Sequence, residues 1–166
     1  MRRLLAAVVM SGCLLSAVPA VSLAEGFTLW SGVDRKNQLS YRTDFGAQAN
    51  NWDRYYLRVD GKRLQTAVAE FIISTPDYFN GKFDPRSMEV KVRGRKVPLA
   101  NTEWDKESRV VRITLQEPIP AGTSAEIILS NVKNPATGMY NLNCLTQAPG
   151  DIPLPRYIGT WIMSIN

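Results

Sequence analysis

The sequence predicts an all-β protein: an immunoglobulin-like antiparallel β-sandwich of about seven to nine strands, with little helix. Three observations lead there. Apolar and polar side chains alternate with a period of two in five separate runs. Pro, Gly and Asn breakers fall between those runs at intervals of roughly 10–15 residues, the rhythm of short strands joined by turns. Helical periodicity is nearly absent, and its best candidate, Lys62–Glu70, is about two turns at most and competes with a strand starting near Ala67.

The runs follow in chain order. Phe27–Trp30 and Gln38–Thr43 are short candidates. Arg54–Asp60 sets Tyr55, Leu57 and Val59 on one face and Arg54, Tyr56, Arg58 and Asp60 on the other, the pattern of a half-buried strand. Ala67–Thr75 groups Ala69, Phe71 and Ile73. Met88–Arg93 sets Met88, Val90 and Val92 against Glu89, Lys91 and Arg93. The tetrapeptide Arg93-Gly94-Arg95-Lys96 reads as a tight hairpin into Val97, because Gly takes the positive φ such turns demand. Val110–Leu115 and Ser124–Ser130 alternate in the same way. Between them the prolines of Glu117–Thr123 are expected outside any ladder, since proline has no amide to donate. Asn131–Gly138 reads as a loop, Tyr140–Thr146 as a short strand, and Pro149–Pro155 as extended and polyproline-like. Tyr157–Ile165 is apolar on both faces and is expected to be a central strand.

The N-terminus has a different logic. Met1-Arg2-Arg3 is a short positive segment, Leu4–Val18 is uncharged and almost wholly apolar, and Ser22-Leu23-Ala24 supplies small residues before Glu25. That order is expected of a cleavable secretory signal over residues 1–24, leaving 25–166 as one domain. The apolar run is shorter than the ~20 residues a membrane span requires, so no transmembrane segment is expected after cleavage. Met10-Ser11-Gly12-Cys13 partly resembles a lipobox, and the alternative is a lipoprotein anchored through Cys13.

Composition narrows the chemistry. The chain has 166 residues, 45% apolar and 21% charged, and no histidine. Ser-His-Asp and Cys-His nucleophilic sites are excluded, as are histidine-bearing zinc and copper sites. Removing two N-terminal arginines lowers the net charge from +5 to +3, too little for a nucleic-acid partner. Cys144 would be the only cysteine left, so no internal disulfide forms and packing alone must stabilise the domain. There is no Ser-x-x-Lys element and no Gly-rich phosphate loop. No catalytic residue, metal ligand set or cofactor is assigned.

Certain constellations remain. Asp77, Asp84, Asp105 and Glu107 lie in or beside turns. A facing pair among them would suit histidine-free glycan hydrolysis, although Asp favours turns for local backbone reasons. Asp84, Asn131, Asn134, Asn143 and Asp151 are oxygen donors for calcium, without the spacing of a known loop. Arg54, Tyr56 and Arg58 form a ladder on one strand face, and Lys91 and Arg93, or Arg112, would extend it if their strands paired with it. Arg and Tyr are enriched at binding hot spots. Trp30, Trp52, Trp104 and Trp161 could stack sugars. Trp52, in the Asn-rich stretch Ala49-Asn50-Asn51-Trp52, is the best exposed candidate, and Trp161 is expected in the core.

Several segments carry a resemblance. They include Asn37-Gln38-Leu39-Ser40-Tyr41-Arg42, Trp52-Asp53-Arg54-Tyr55-Tyr56 and the run Thr75-Pro76-Asp77-Tyr78-Phe79-Asn80-Gly81-Lys82-Phe83-Asp84. Further on come Trp104-Asp105-Lys106, Pro118-Ile119-Pro120-Ala121-Gly122, Asn131-Val132-Lys133-Asn134-Pro135 and Pro153-Leu154-Pro155-Arg156-Tyr157-Ile158-Gly159-Thr160-Trp161. In order and spacing they resemble a cyanobacterial family of exported proteins, domain of unknown function 2808. The resemblance implies the periplasm, thylakoid lumen or cell envelope of a photosynthetic bacterium, and it brings no established catalytic residues. The functional expectation is an exported, non-enzymatic binding or structural module whose binding residues are Arg54, Tyr56, Arg58 and Trp52. Its partner would be an envelope protein or an anionic glycan. The competing classes are a carboxylate-based glycan hydrolase and a calcium-binding lumenal protein.

Overall fold

Alternation decides which side of each strand is buried, and two sheets close over the shared apolar side. The computed structural model describes residues 32–150 and 154–166. The expected signal segment 1–24 with Cys13, the candidate strand Phe27–Trp30 and Asp151 lie outside the described residues. Among the described residues there are ten strands: β1 (Tyr41–Thr43), β2 (Trp52–Val59), β3 (Val68–Ser74), β4 (Met88–Val92), β5 (Arg95–Val97), β6 (Leu99–Asp105), β7 (Val110–Ile119), β8 (Ala125–Lys133), β9 (Gly138–Gln147) and β10 (Arg156–Ile165). They form two five-stranded antiparallel sheets, ordered β1-β2-β8-β4-β5 and β10-β9-β3-β7-β6. The architecture is an antiparallel β-sandwich, the fold class the alternation predicts. Among the described residues helix is confined to single 3-10 turns at Arg35–Asn37, Gly61–Arg63 and Pro85–Ser87.

The core is the union of the alternating faces. Tyr55, Leu57, Val59, Val90, Ile127 and Leu129 of the first sheet meet Phe71, Ile73, Ile113, Leu142 and Trp161 of the second, all essentially solvent-free. Each such side chain contributes about 1.5–3 kcal/mol by leaving water. The Trp161 indole donates to the Arg58 carbonyl at 3.2 Å, so this large core ring joins the two sheets with no orphaned donor. The hairpin between β4 and β5 turns on Arg93 (φ 50°) and Gly94 (φ 76°), the doubly positive turn whose twist matches the strands.

The structure corrects several expectations. Lys62–Glu70 is not a helix: Asp60 caps one 3-10 turn at the Lys62 amide, and β3 starts at Val68. Strand β6 had no alternating signal because it is an edge strand, largely wet on its outer side. The count of ten strands therefore exceeds the seven to nine expected. Pro118 lies within β7, where Thr114 pairs with Glu70 but Ile119 pairs with Val68. The intervening residues bulge out of that ladder, so proline's missing amide costs nothing there. Likewise β8 continues through Lys133 by way of a bulge at Asn131 (φ 53°), which shortens the expected loop.

The last strand is also not central. β10 is at a sheet edge beside β9, although Ile158, Gly159, Thr160 and Trp161 are all buried. Its open edge is covered by the chain before β1. Gln38 bridges Thr160 in parallel, and the Leu39 amide donates to the Thr160 carbonyl at 2.9 Å. The Arg63 guanidinium clamps this cover, donating to the carbonyls of Ile158 (3.1 Å), Lys36 (2.7 Å) and Gln38 (3.0 Å). An edge sealed in this way buries as a central strand would.

One buried charge organises the loop between β1 and β2. The Asp53 carboxylate accepts from the amides of Asp44 (3.1 Å), Phe45 (3.0 Å), Ala47 (2.9 Å) and Arg54 (2.7 Å). Ala47 and Asn50 hold positive φ along this turn. Ala47 and Ala49 in turn exchange backbone hydrogen bonds with Asn166 at 3.0 and 2.7 Å. Asn134 donates to the Gln48 carbonyl at 2.7 Å and accepts from the buried Tyr55 hydroxyl at 2.5 Å. Burial raises the Tyr55 phenol above its ordinary value.

Asp53→Ala strands four amides and is expected to lower unfolding stability by about 3 kcal/mol in urea, with Asp53→Asn costing less because it keeps an acceptor oxygen. Cys144 is fully buried and desolvation pushes its thiol up. At pH 8 a maleimide should therefore label Cys144 only in denaturant, as read by peptide mass; rapid labelling of the native protein would contradict this burial.

Candidate binding face

Strand β2 carries the site because its alternation leaves every second side chain outside. Trp52, Arg54, Tyr56 and Arg58 all point outward from the β1-β2-β8-β4-β5 sheet, while Asp53, Tyr55, Leu57 and Val59 are buried. The four expected binding residues thus share one face, but they form two environments.

Arg54, Tyr56 and Arg58 are engaged by neighbours. Arg58 pairs with Glu126 across the ladder at 3.0 Å. The Arg54 Nε donates to Ser130 at 2.9 Å, and its other end lies 3.5 Å from Asp44. Tyr56 donates to Asp44 at 3.0 Å, and the Arg42 guanidinium stacks 3.2 Å from the centroid of the Tyr56 ring. Exposed pairs of this kind are worth little individually, yet they neutralise the ladder. The basic extension does not materialise. Lys91 is two strands away with Glu126 between, as Arg58 pairs with Glu126 and Glu126 with Lys91. Arg112 lies in the other sheet, 3.5 Å from Glu70.

Trp52 is different. It is 60% exposed at the start of β2, and its cross-strand partner is Lys133. The Lys133 ammonium lies 5.6 Å from the indole centroid, on one face of the ring. On its other side Lys133 is paired with Lys82, and the two residues exchange both backbone hydrogen bonds at 2.9 Å. Opposed residues of an antiparallel bridge project to the same side. A row Trp52–Lys133–Lys82 therefore crosses three adjacent chain segments. Gly81 permits it: a Cβ there would sit 2.7 Å from the Lys133 carbonyl oxygen and 2.6 Å from the Phe79 ring, so only glycine lets this segment reach β8.

Beside the row is an open cleft of about 460 Å³, lined by Trp52, Lys82, Phe83, Asp84, Pro85, Lys106 and Asn131. Phe83 is buried at its base, stacked on Phe79 and edge-on to Trp104. Asp84 is tied down: Ser87 and the Arg86 amide donate to it at 2.9 and 3.0 Å, and Asn131 at 3.3 Å. The Ser87 hydroxyl foremost, then Asn131, holds its carboxyl below the ordinary value. Among the described residues Lys82, Lys106 and Lys133 form no ion pair.

The other candidates disperse. Asp105 caps the amides of Glu107 and Ser108, and its bonding to Ser108 lowers its carboxyl; neither it nor Asp84 has the raised value that a glycosidic general acid needs. Of the calcium donors among the described residues, Asn134 serves Gln48 and Tyr55, Asn143 accepts from Thr160 at 2.7 Å, and only Asp84 and Asn131 meet. Among the described residues no three His, Cys, Asp or Glu side chains gather where a metal ion could sit. Trp104 is half-buried and Trp161 fully so, while Trp30 lies outside the described residues. No helix among the described residues is long and apolar enough to cross a membrane. Sequence reasoning missed Lys82, Lys106 and Lys133. Each is a lone lysine at a strand end or in a turn, without any pattern, and only strand pairing brings them to Trp52.

Comparison with solved structures finds chains of low identity. BslA, a bacterial hydrophobin, is 17% identical over 64% of this chain and 85% of its own, with a TM-score of 0.41. The collagen-binding domain of a Staphylococcus aureus adhesin is 9% identical over 76% and 95%, with a TM-score of 0.42. An uncharacterised immunoglobulin-like protein from Nocardia farcinica is 12% identical over 77% and 97%, with a TM-score of 0.41. Comparison with curated proteins finds no match. The model of one family, described as "Protein of unknown function (DUF2808)", matches residues 27–165, and the chain belongs to that family.

Proposed function

We propose that this protein is an exported, non-enzymatic binding or structural module of the cell envelope, periplasm or thylakoid lumen. In this reading residues 1–24 are a signal that is removed and residues 25–166 act as one sandwich domain. It engages an envelope component through the outward face of the β1-β2-β8-β4-β5 sheet, at the end where Trp52 lies. One observation carries this: a tryptophan 60% exposed on a rigid strand, flanked by Arg54, Tyr56 and Arg58 on the same face. An exposed tryptophan forgoes the stabilisation its large apolar area would gain by burial. On a strand start fixed by Asp53, that area is presented without conformational cost to a partner.

The test is a cross-linking pull-down from the native envelope fraction. Trp52→Ala is expected to abolish capture, and the pair Arg54→Ala and Arg58→Ala to weaken it. Both should keep the β-sheet circular dichroism spectrum and lose less than about 1 kcal/mol of stability, because surface ion pairs contribute little. Arg112→Ala, on the opposite sheet, should behave as wild type. Identical recovery with all four proteins would sink the proposal.

A further inference from the structure

The cleft beside Trp52 combines features that together specify a ligand chemistry. Lys82 and Lys133 are directly opposed across a backbone bridge, and neither forms an ion pair among the described residues. Like charges so placed repel each other and destabilise the pairing. Elsewhere on this face several cations are matched: Arg58 by Glu126, Arg42 and Arg54 by Asp44, Lys96 by Glu89. Lys106, which forms no ion pair among the described residues, also lines the cleft. The one acid in the cleft, Asp84, is already occupied by Ser87, Asn131 and the Arg86 amide. An anion between the lysines would relieve their repulsion.

The rest of the cleft says what kind of anion. The exposed Trp52 ring, which lines the cleft, offers a flat apolar platform with Lys133 over one face. Aromatic faces are electron-rich and attract the slightly positive C–H edges of a pyranose ring. The Asn131 amide spends its N–H group on Asp84 and Ser87, which leaves its carbonyl oxygen as an acceptor for a hydroxyl. The cleft of about 460 Å³ is open at the surface, suited to a short stretch of a longer chain rather than an enclosed small molecule.

We infer that this cleft binds an acidic polysaccharide, one sugar ring stacking on Trp52 and its carboxylate or sulfate lying between Lys82, Lys133 and Lys106. This rests on the binding-module reading above and names the class of its ligand. The lysines provide salt-dependent attraction, and the indole provides selection for a sugar over other polyanions.

The experiment titrates the full chain by calorimetry and tryptophan fluorescence with three probes: an oligogalacturonate, a neutral galactose oligomer of equal length, and polyglutamate. The uronate should bind and shift the fluorescence. The neutral sugar and polyglutamate should each bind about tenfold more weakly or less. Trp52→Ala should weaken uronate binding about tenfold, and Trp52→Phe should restore part of it, since an aromatic ring and not the indole N–H is required. Lys82→Gln with Lys133→Gln should weaken it too and flatten its salt dependence, while leaving the fold intact. Polyglutamate binding as tightly as the uronate, or uronate affinity unchanged in Trp52→Ala, would overturn the inference. If the envelope pull-down depends on Trp52 yet excess oligogalacturonate does not compete, the face is a binding site but its ligand is not an acidic glycan. If the pull-down is indifferent to Trp52, the broader reading fails instead.

Discussion

The exposed face of this sandwich depends on a carboxylate that never sees water. Asp53 gathers four amides, three from the turn after β1 and one from its own strand, and so fixes where β2 begins. A buried charge is costly unless it is fully hydrogen-bonded, and here backbone amides supply that bonding. The turn it holds also receives Asn166 and Asn134, so the end of β10 and the end of β8 are tied to the same point. Trp52 stands one residue before Asp53. Its outward direction follows from the inward direction of that carboxylate, because neighbouring strand residues face opposite sides.

From there the face divides by its counter-charges. Along the middle of the sheet each arginine finds an acid or a hydroxyl on the next strand, so the ladder Arg54–Tyr56–Arg58 is a solvated, internally satisfied surface. At the Trp52 end the partners run out. The segment from Phe79 to Asp84 replaces β4 as the neighbour of β8, and it brings Lys82 rather than an acid opposite Lys133. Gly81 makes this replacement possible by admitting the Lys133 carbonyl where a side chain would clash. The bulge at Asn131 serves the same end: with φ at 53° it directs an amide to Asp84 and lets β8 run on to Lys133. Local irregularities next to a binding surface are a common way of re-aiming side chains.

The two edges of the β10-β9-β3-β7-β6 sheet show how an edge is protected without further strands. Arg63 donates to three carbonyls from two separate segments, and Gln38 and Leu39 add a short parallel contact. The cover explains why the strand's apolarity on both faces pointed toward a central position. Burial on both faces is what the sequence pattern records, and a strap can supply that burial as well as a sheet can. At the other edge of the same sheet, no isolated backbone bridge covers β6 among the described residues, and its Asn101 and Glu103 are exposed, the usual defence of an open edge.

Sequence alone determined the fold class, the burial side of β2, β4, β7 and β8, the Arg93-Gly94 turn, and the exclusion of histidine chemistry. These follow from period and composition, which are local properties of the chain. It also placed Trp52, Arg54, Tyr56 and Arg58 together, because all four lie on one strand at even spacing. Tertiary structure alone decided which of those residues are free. Whether Arg58 meets Glu126 or Lys91, and whether Lys133 meets an acid or Lys82, depends on which strands become neighbours. Strand neighbours are set by long-range pairing, which leaves no periodic trace in the residues that it joins.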